Sequence, residues 1–335
     1  MALGEFSLID RFFKSASSSD GVRVGAGIGI NVGIGDDAAV MTLPADHRLV
    51  VCKDVLVQGR HFFPDVAPDT LGHKCLAVNL SDLAAMGATP IGCLLGIGLP
   101  KVDETWLGSF ADGFNALANR YQCPLIGGDT VGSDQGLFIS VTALGALPIK
   151  HTGLLRSAAQ VDDDIWISGS LGAADLALRI LQGTLVDTAA ALPYLRTALE
   201  QPEPRVELGQ HLLGVAHAAI DISDGLAQDL SHVLKASEVG AVLELDALPA
   251  HSNIQGFNRA VRQEAMLYGG DVYELCFTAS PQKRLAIEQI GQALALPLTR
   301  VGTIRAQSGL LGLQGDGSYI EISGRGFDHF SGGQP

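Results

Sequence analysis

Aspartates set beside glycines or at the ends of apolar runs are the residues of this chain best suited to chemistry. In the first half they fall in GIGDDAAV (Asp36, Asp37), KDVLVQGRHF (Asp54), NLSDLAAMGA (Asp82) and LIGGDTVG (Asp129), and in the second half AIDISDGLAQDL adds Asp221 and Asp224. Singly, each fits a turn or a helix cap, because Asp next to Gly is ordinary loop chemistry. Their joint placement argues for more. Asp54 interrupts the apolar run LVVCKDVLV, where aspartate is disfavoured and a buried carboxylate needs a cation or hydrogen-bond donors. GGD follows the run CPLIG, and DISD bridges AAI and a predicted helix. Converging carboxylates raise one another's pKa unless metal ions hold them ionised. A set of oxygen ligands without Cys or His points to Mg²⁺ rather than Zn²⁺.

The elements that must position these acids alternate along the chain. LVVCKDVLV (49–57) and IGCLLGIGL (91–99) read as strands around a helix at 70–87, whose Asn79 and Asp82 share a face. Trp106, Phe110, Phe114, Leu117 and Tyr121 recur at helical spacing, and their plain reading is core. Strands follow at 123–127 and 137–147. The glycine-rich VGAGIGINVGIGDD (24–37) reads as a mobile loop and matches neither GxGxxG nor a P-loop. A polar stretch at 147–163 predicts a boundary near 150, dividing the chain into domains of residues 1–149 and 150–335. Beyond it, strands at DIWISG, AAIDI, AVLEL, YELCFT and TRVGTI alternate with helices at 173–182, 208–217, 224–237 and 281–294. Both halves are mixed α/β. Ser223 is placed to cap the helix opening at Asp224 and so to aim backbone N–H groups at a phosphate.

Bulk properties narrow the partners. Hydrophobic residues make up 47% of the 335 and charged residues 17%, so the chain is expected to be globular. A net charge of -14 argues against a nucleic-acid backbone and for cations. Five cysteines without a CxxC pair fit reduced thiols and a cytoplasmic location. No apolar run is long enough to span a bilayer, and MALGEFSLIDRFFK reads as an amphipathic helix rather than a signal peptide.

The ordered set GEFSLI, GIGDDAAV, DVLVQGRHF, KCLAVNLSDLAAMGA, LIGGDT, IDISDGL and YELCFT resembles the thiamine-monophosphate kinase family. NLSDLAAMGA and GGDT are shared across the wider aminoimidazole ribonucleotide synthetase superfamily; GEFSLI and GRHF are more particular to the kinases. The resemblance implies two α/β domains, a homodimer whose N-terminal sheets join into a barrel, and an N-terminal ATP- and magnesium-binding domain whose site the C-terminal domain completes. It implies phosphorylation of thiamine monophosphate by ATP with several Mg²⁺ ions, the final step of thiamine diphosphate biosynthesis. By motif, Asp37, Asp54, Asp82, Asp129 and Asp221 would be magnesium ligands, with Asp224 on a further ion; Asp54, Asp129 and Asp221 would carry catalysis. Gly128, Asp129, Arg156 and Ser223 would meet ATP, and His61 and Asp271 the substrate.

The sequence departs from the family pattern at points near these residues. Cys52 and Lys53 stand where the family has Ser or Thr, and Lys53 is expected to replace the charge of one ion or to pair with the clustered carboxylates. GGDVYEL replaces GGEDYEL, putting Asp271 and Val272 at two acidic positions. Gly324 takes the place of an aromatic residue, with Phe327 nearby as a substitute. Two rival readings follow from these changes: another ATP-using member of the superfamily, and a non-catalytic nucleotide or thiamine-phosphate binding protein.

Overall fold

Residues 8–14, 23–24, 28–34, 37–187 and 190–327 are described by the computed structural model. They group into two units: one reaches Leu83 and resumes over Ala88–His151, and the other holds Ala84–Gly87 and the chain from Thr152 onward.

In the first unit, β1 (Arg23–Val24), β2 (Ile28–Val32) and β3 (Val40–Thr42) form a small antiparallel sheet. Here the expected loop is replaced by a strand. Ile28 and Ile30, two apart, are 5% and 1% exposed, and this period-two burial outweighs the flexibility of the intervening glycine. The main sheet comprises β4 (His47–Val57), β5 (Thr89–Leu99), β6 (Leu125–Gly132) and β7 (Phe138–Pro148) in the order β4-β7-β5-β6. Only β5 and β6 run parallel, as the crossover helix between them requires. That helix is α2 (Glu104–Arg120), capped by the Asp103 carboxylate, which accepts from the backbone N–H groups of Thr105 and Trp106. Its Phe110 and Phe114 are fully buried, as the aromatic stripe predicts.

The helix α1 (Pro68–Ala85) buries Leu76, Leu80, Leu83 and Ala84 completely. It lies so close to α2 that a Cβ at Gly72 would stand 2.1 Å from Phe110 O, and one at Gly113 1.9 Å from Asp69 O. On β4, side chains alternate between two faces. Cys52 and Leu56 turn inward with Asp54, whereas Leu49, Val51, Val55 and Val57 are exposed.

The second unit contains β8 (Asp164–Ser168), α3 (Ala173–Leu181), α4 (Leu192–Glu200), α5 (Val206–Leu212), β9 (Ala218–Asp221), α6 (Leu226–Ala236), β10 (Gly240–Glu244), α7 (Arg259–Tyr268), β11 (Leu275–Ala279), α8 (Arg284–Ala293), β12 (Leu298–Arg305), β13 (Gly309–Leu313) and β14 (Tyr319–Glu321). Its seven strands run in the order β14-β13-β10-β12-β8-β11-β9, with only β10 and β13 parallel. All five cysteines are free. Among the described residues, no helix is long and apolar enough to cross a membrane.

Candidate active site

In the first unit, the inward face of β4 meets α1 around Cys52, whose thiol donates to Asn79 O at 3.3 Å. Burial, followed by the carboxylates of Asp82 and Asp54, pushes this thiol well above its ordinary pKa. Asp54 and Asp82 therefore both lie close to Cys52, whose protonated thiol is a poor ligand for a hard cation. Asn79 Oδ1 is buried there without a hydrogen-bond partner. Lys53 corrects the sequence expectation. One residue along a strand reverses the face, so its ammonium donates to Ser140 Oγ on the exposed side, turned away from the Asp54 face.

Asp37 and Asp129 line a second feature, a cavity of about 870 Å³ with Gly127, Gly128, Ile126, Leu94 and Met41 in its wall. GGD continues β6 rather than following it. Gly128 is required by close approach: its φ is +157°, and a Cβ would stand 1.9 Å from Leu95 O.

The turn after β4 carries His61. The Val57 N–H donates to its Nδ1 at 2.9 Å, so the ring proton of the neutral imidazole sits on Nε2, which acts as a donor. Lys74, only 3% exposed, holds the same turn by donating to His61 O at 3.4 Å. Sequence reasoning passed over this buried ammonium, although a lysine inside an otherwise apolar helix face was its signal.

In the second unit, the acidic centre is the turn from β9 into α6. Asp221, 4% exposed, ends β9, and Ser223 and Asp224 follow. The expected Ser223 cap is not formed. The helix opens two residues later, at Leu226, with Gly225 as N-cap. Asp229 Oδ2 reaches back to accept from the backbone N–H groups of Asp224 and Gly225, both at 3.0 Å. A carboxylate one turn into the helix thus does the work assigned to the hydroxyl. Asp229 is only 2% exposed, and burial, then Asp224 and Asp221, pushes its pKa up to about 7.

The segment Gly269–Glu274 lies against this turn. Asp271 N and Tyr273 N donate to Ser223 O and Ile222 O, each at 2.8 Å. Asp271 and Tyr273 have φ of 56° and 57°, a left-handed conformation that costs a non-glycine residue roughly 1–2 kcal/mol. Behind them Glu274, 6% exposed, is gripped by Arg205 through Nε at 2.7 Å and through a second guanidinium nitrogen, and accepts from Ser168 Oγ. This anchor was also missed, because Arg205 and Glu274 are 69 residues apart.

Gly324 packs on α6, where a Cβ would stand 2.6 Å from Ser231 Oγ. Phe327 instead reaches the acidic end of α6: its N–H donates to Asp224 O at 3.1 Å, and Gln228 bridges its carbonyl to the Asp224 carboxylate. Arg156 lies in a 3-10 turn whose backbone oxygen accepts from Ser237 Oγ at the far end of α6. Asp221, Ser223, Asp224, Asp271 and Phe327 are thus gathered at one end of α6, and the backbone of Arg156 is tied near the other.

Among the described residues, no three His, Cys, Asp or Glu side chains are close enough to hold a metal by themselves. Magnesium does not need such a cage. It is commonly held by one or two carboxylates together with waters and substrate phosphates. Asp54 with Asp82, and Asp221 with Asp224, are hard oxygen donors of that kind, which suit magnesium rather than a soft metal.

Two family models match the chain: AIR synthase related protein, N-terminal domain, over residues 35–147, and its C-terminal domain over 162–311. The thiamine-monophosphate kinase of Haemophilus influenzae is 39% identical over 336 residues, covering 98% of this chain and 99% of the relative. That of Escherichia coli is 40% identical with 99% of each covered. Among solved structures, a thiamine-monophosphate kinase from Stenotrophomonas maltophilia superposes with a TM-score of 0.83 at 42% identity, covering 95% of this chain and 98% of that one. AaThiL complexed with AMPPCP and TMP superposes with a TM-score of 0.74 at 26% identity, covering 98% of this chain and 99% of that one. With both domain models matched in order and its relatives covered nearly end to end, this chain belongs to the thiamine-monophosphate kinase family of AIR synthase related proteins.

Proposed function

We propose that the chain is a magnesium-dependent thiamine-phosphate kinase, transferring the γ-phosphoryl group of ATP directly onto the phosphate of thiamine monophosphate to give thiamine diphosphate and ADP. The observation that carries this reading is the similarity to kinases of that name over 98–99% of the chain. The geometry supports it. The cavity at Gly128, with Asp37 and Asp129 in its lining, suits a nucleotide whose base meets apolar side chains and whose phosphates approach the acids.

A phosphate monoester has a second pKa near 6, so at pH 7 the attacking oxygen is largely ionised and no side chain needs to remove a proton. The protein's task is to align the two phosphates and to offset their charge. Asp37, Asp54, Asp82, Asp129, Asp221 and Asp224 would hold magnesium, which when bound supplies that charge neutralisation. His61 Nε2–H donates to the acceptor phosphate. Arg156 and Ser223 serve the nucleotide, and Asp271 and Phe327 the organic part of the substrate.

The working form is a homodimer in the cytoplasm. Leu49, Val51, Val55 and Val57 are 39–55% exposed on one face of β4, an apolar surface of the kind that a second copy covers. Incubating the chain with ATP, Mg²⁺ and thiamine monophosphate, followed by ³¹P NMR, tests the function. Thiamine diphosphate and ADP should form in equal amounts. Calorimetric binding of ATP with no ADP release would refute the kinase and leave a binding protein.

A further inference from the structure

The Asp271–Tyr273 turn is the most strained described segment that touches the acidic centre. Its two left-handed residues flank Val272, and both backbone N–H groups are tied to the β9–α6 turn. Aspartate tolerates this conformation, because a short polar side chain bonds locally. Tyrosine does not, and a bulky aromatic at positive φ calls for a reason. Glycine would adopt the same backbone without cost. What the tyrosine adds is a hydroxyl that turns back two residues and donates to Asp271 Oδ1 at 3.2 Å. The two side chains close a clamp on one face of the turn, with the Glu274–Arg205 anchor immediately behind it.

We infer that Tyr273 is a positioning residue that fixes the Asp271 carboxylate for the organic cation of the substrate, so that affinity for thiamine monophosphate depends on the phenol hydroxyl. This rests on the kinase reading of the site. A carboxylate held in one rotamer loses no side-chain freedom when the ligand binds. The permanently charged thiazolium ring of thiamine is the kind of group it complements.

Steady-state kinetics of Tyr273→Phe, Asp271→Ala and the double variant test the inference. Tyr273→Phe keeps the ring and the backbone, and should raise KM for thiamine monophosphate about tenfold, the worth of one hydrogen bond to a charged group. The change falls on that KM, with kcat and KM for ATP held near wild type. In the Asp271→Ala background the same substitution should add nothing, because the phenol acts only through the carboxylate. Should Tyr273→Phe fail to fold, Asp271→Ala alone must raise the same KM tenfold or more. Additive losses in the double variant, or equal losses in KM for ATP, overturn the inference and leave the kinase intact. A wild-type chain that does not turn over thiamine monophosphate overturns both.

Discussion

Asp229→Asn should stabilise the metal-free protein, and increasingly so as pH rises. The carboxyl is nearly isosteric with the amide, and the amide oxygen can still accept from Asp224 N and Gly225 N. What changes is the charge. Asp229 is pushed up to about 7 in the folded chain from an ordinary 3.8, a difference of about three units, or roughly 4 kcal/mol. A folded pKa above the unfolded one means that the native state holds its proton longer. Its contribution is fully present below pH 3.8 and is lost as pH climbs through about 7. The amide has no proton to lose. Thermal unfolding in EDTA at intervals from pH 4 to pH 9 should give a Tm difference near zero at the acid end and a plateau above neutrality. At 2–4 °C per kcal/mol for a domain of this size, the plateau is about 8–16 °C. Added Mg²⁺ should shrink it, by countering the charges of Asp221 and Asp224. A difference independent of pH, or a variant less stable than wild type at pH 8, would refute the reasoning.

Gly128→Ala should weaken ATP binding at least tenfold by calorimetry, since a Cβ 1.9 Å from Leu95 O forces β5 and β6 apart beside the cavity; unchanged affinity would remove the cavity from the nucleotide site. Glu274→Ala removes the buried carboxylate that Arg205 and Ser168 hold and should cost about 3–5 kcal/mol in urea unfolding, with Glu274→Gln losing less. Val51→Glu puts a charge on the exposed face of β4, where the residue is 55% exposed. It should yield a monomer by sedimentation velocity with native circular dichroism, and a persisting dimer would exclude that face.

The sequence revealed elements wherever one periodicity dominated. The Trp106–Tyr121 stripe and the run from Leu49 to Val57 needed no tertiary information, because each buries one face. The glycine-rich segment misled, since glycine frequency obscured the alternation of Ile28 and Ile30. The late elements α4, α7, β13 and β14 carry weaker patterns; on β14, for example, Tyr319, Ile320 and Glu321 are all exposed and show no buried face. Site residues that belong to motifs could be named in advance, and their partners could not. Ser223 looked like a cap because serine before a helix usually is one, and only the fold reveals that Asp229 reaches the same N–H groups first. Lys53 looked like a companion of Asp54 because adjacency in sequence was taken for adjacency in space, which a strand inverts. Glu274 and Arg205 meet although 69 residues separate them, and no local spacing announces them. GEFSLI, used for the family resemblance, lies mostly outside the described residues.

The central claim is that carboxylates of this chain hold the divalent ions on which the ATP phosphates ride. Its most direct test is the number of Mn²⁺ ions bound, counted by electron paramagnetic resonance with a non-hydrolysable ATP analogue present. Wild type should bind more than one ion per chain, and Asp54→Asn and Asp129→Asn should each bind fewer while melting at the wild-type temperature. Unchanged metal stoichiometry in both folded variants would contradict it.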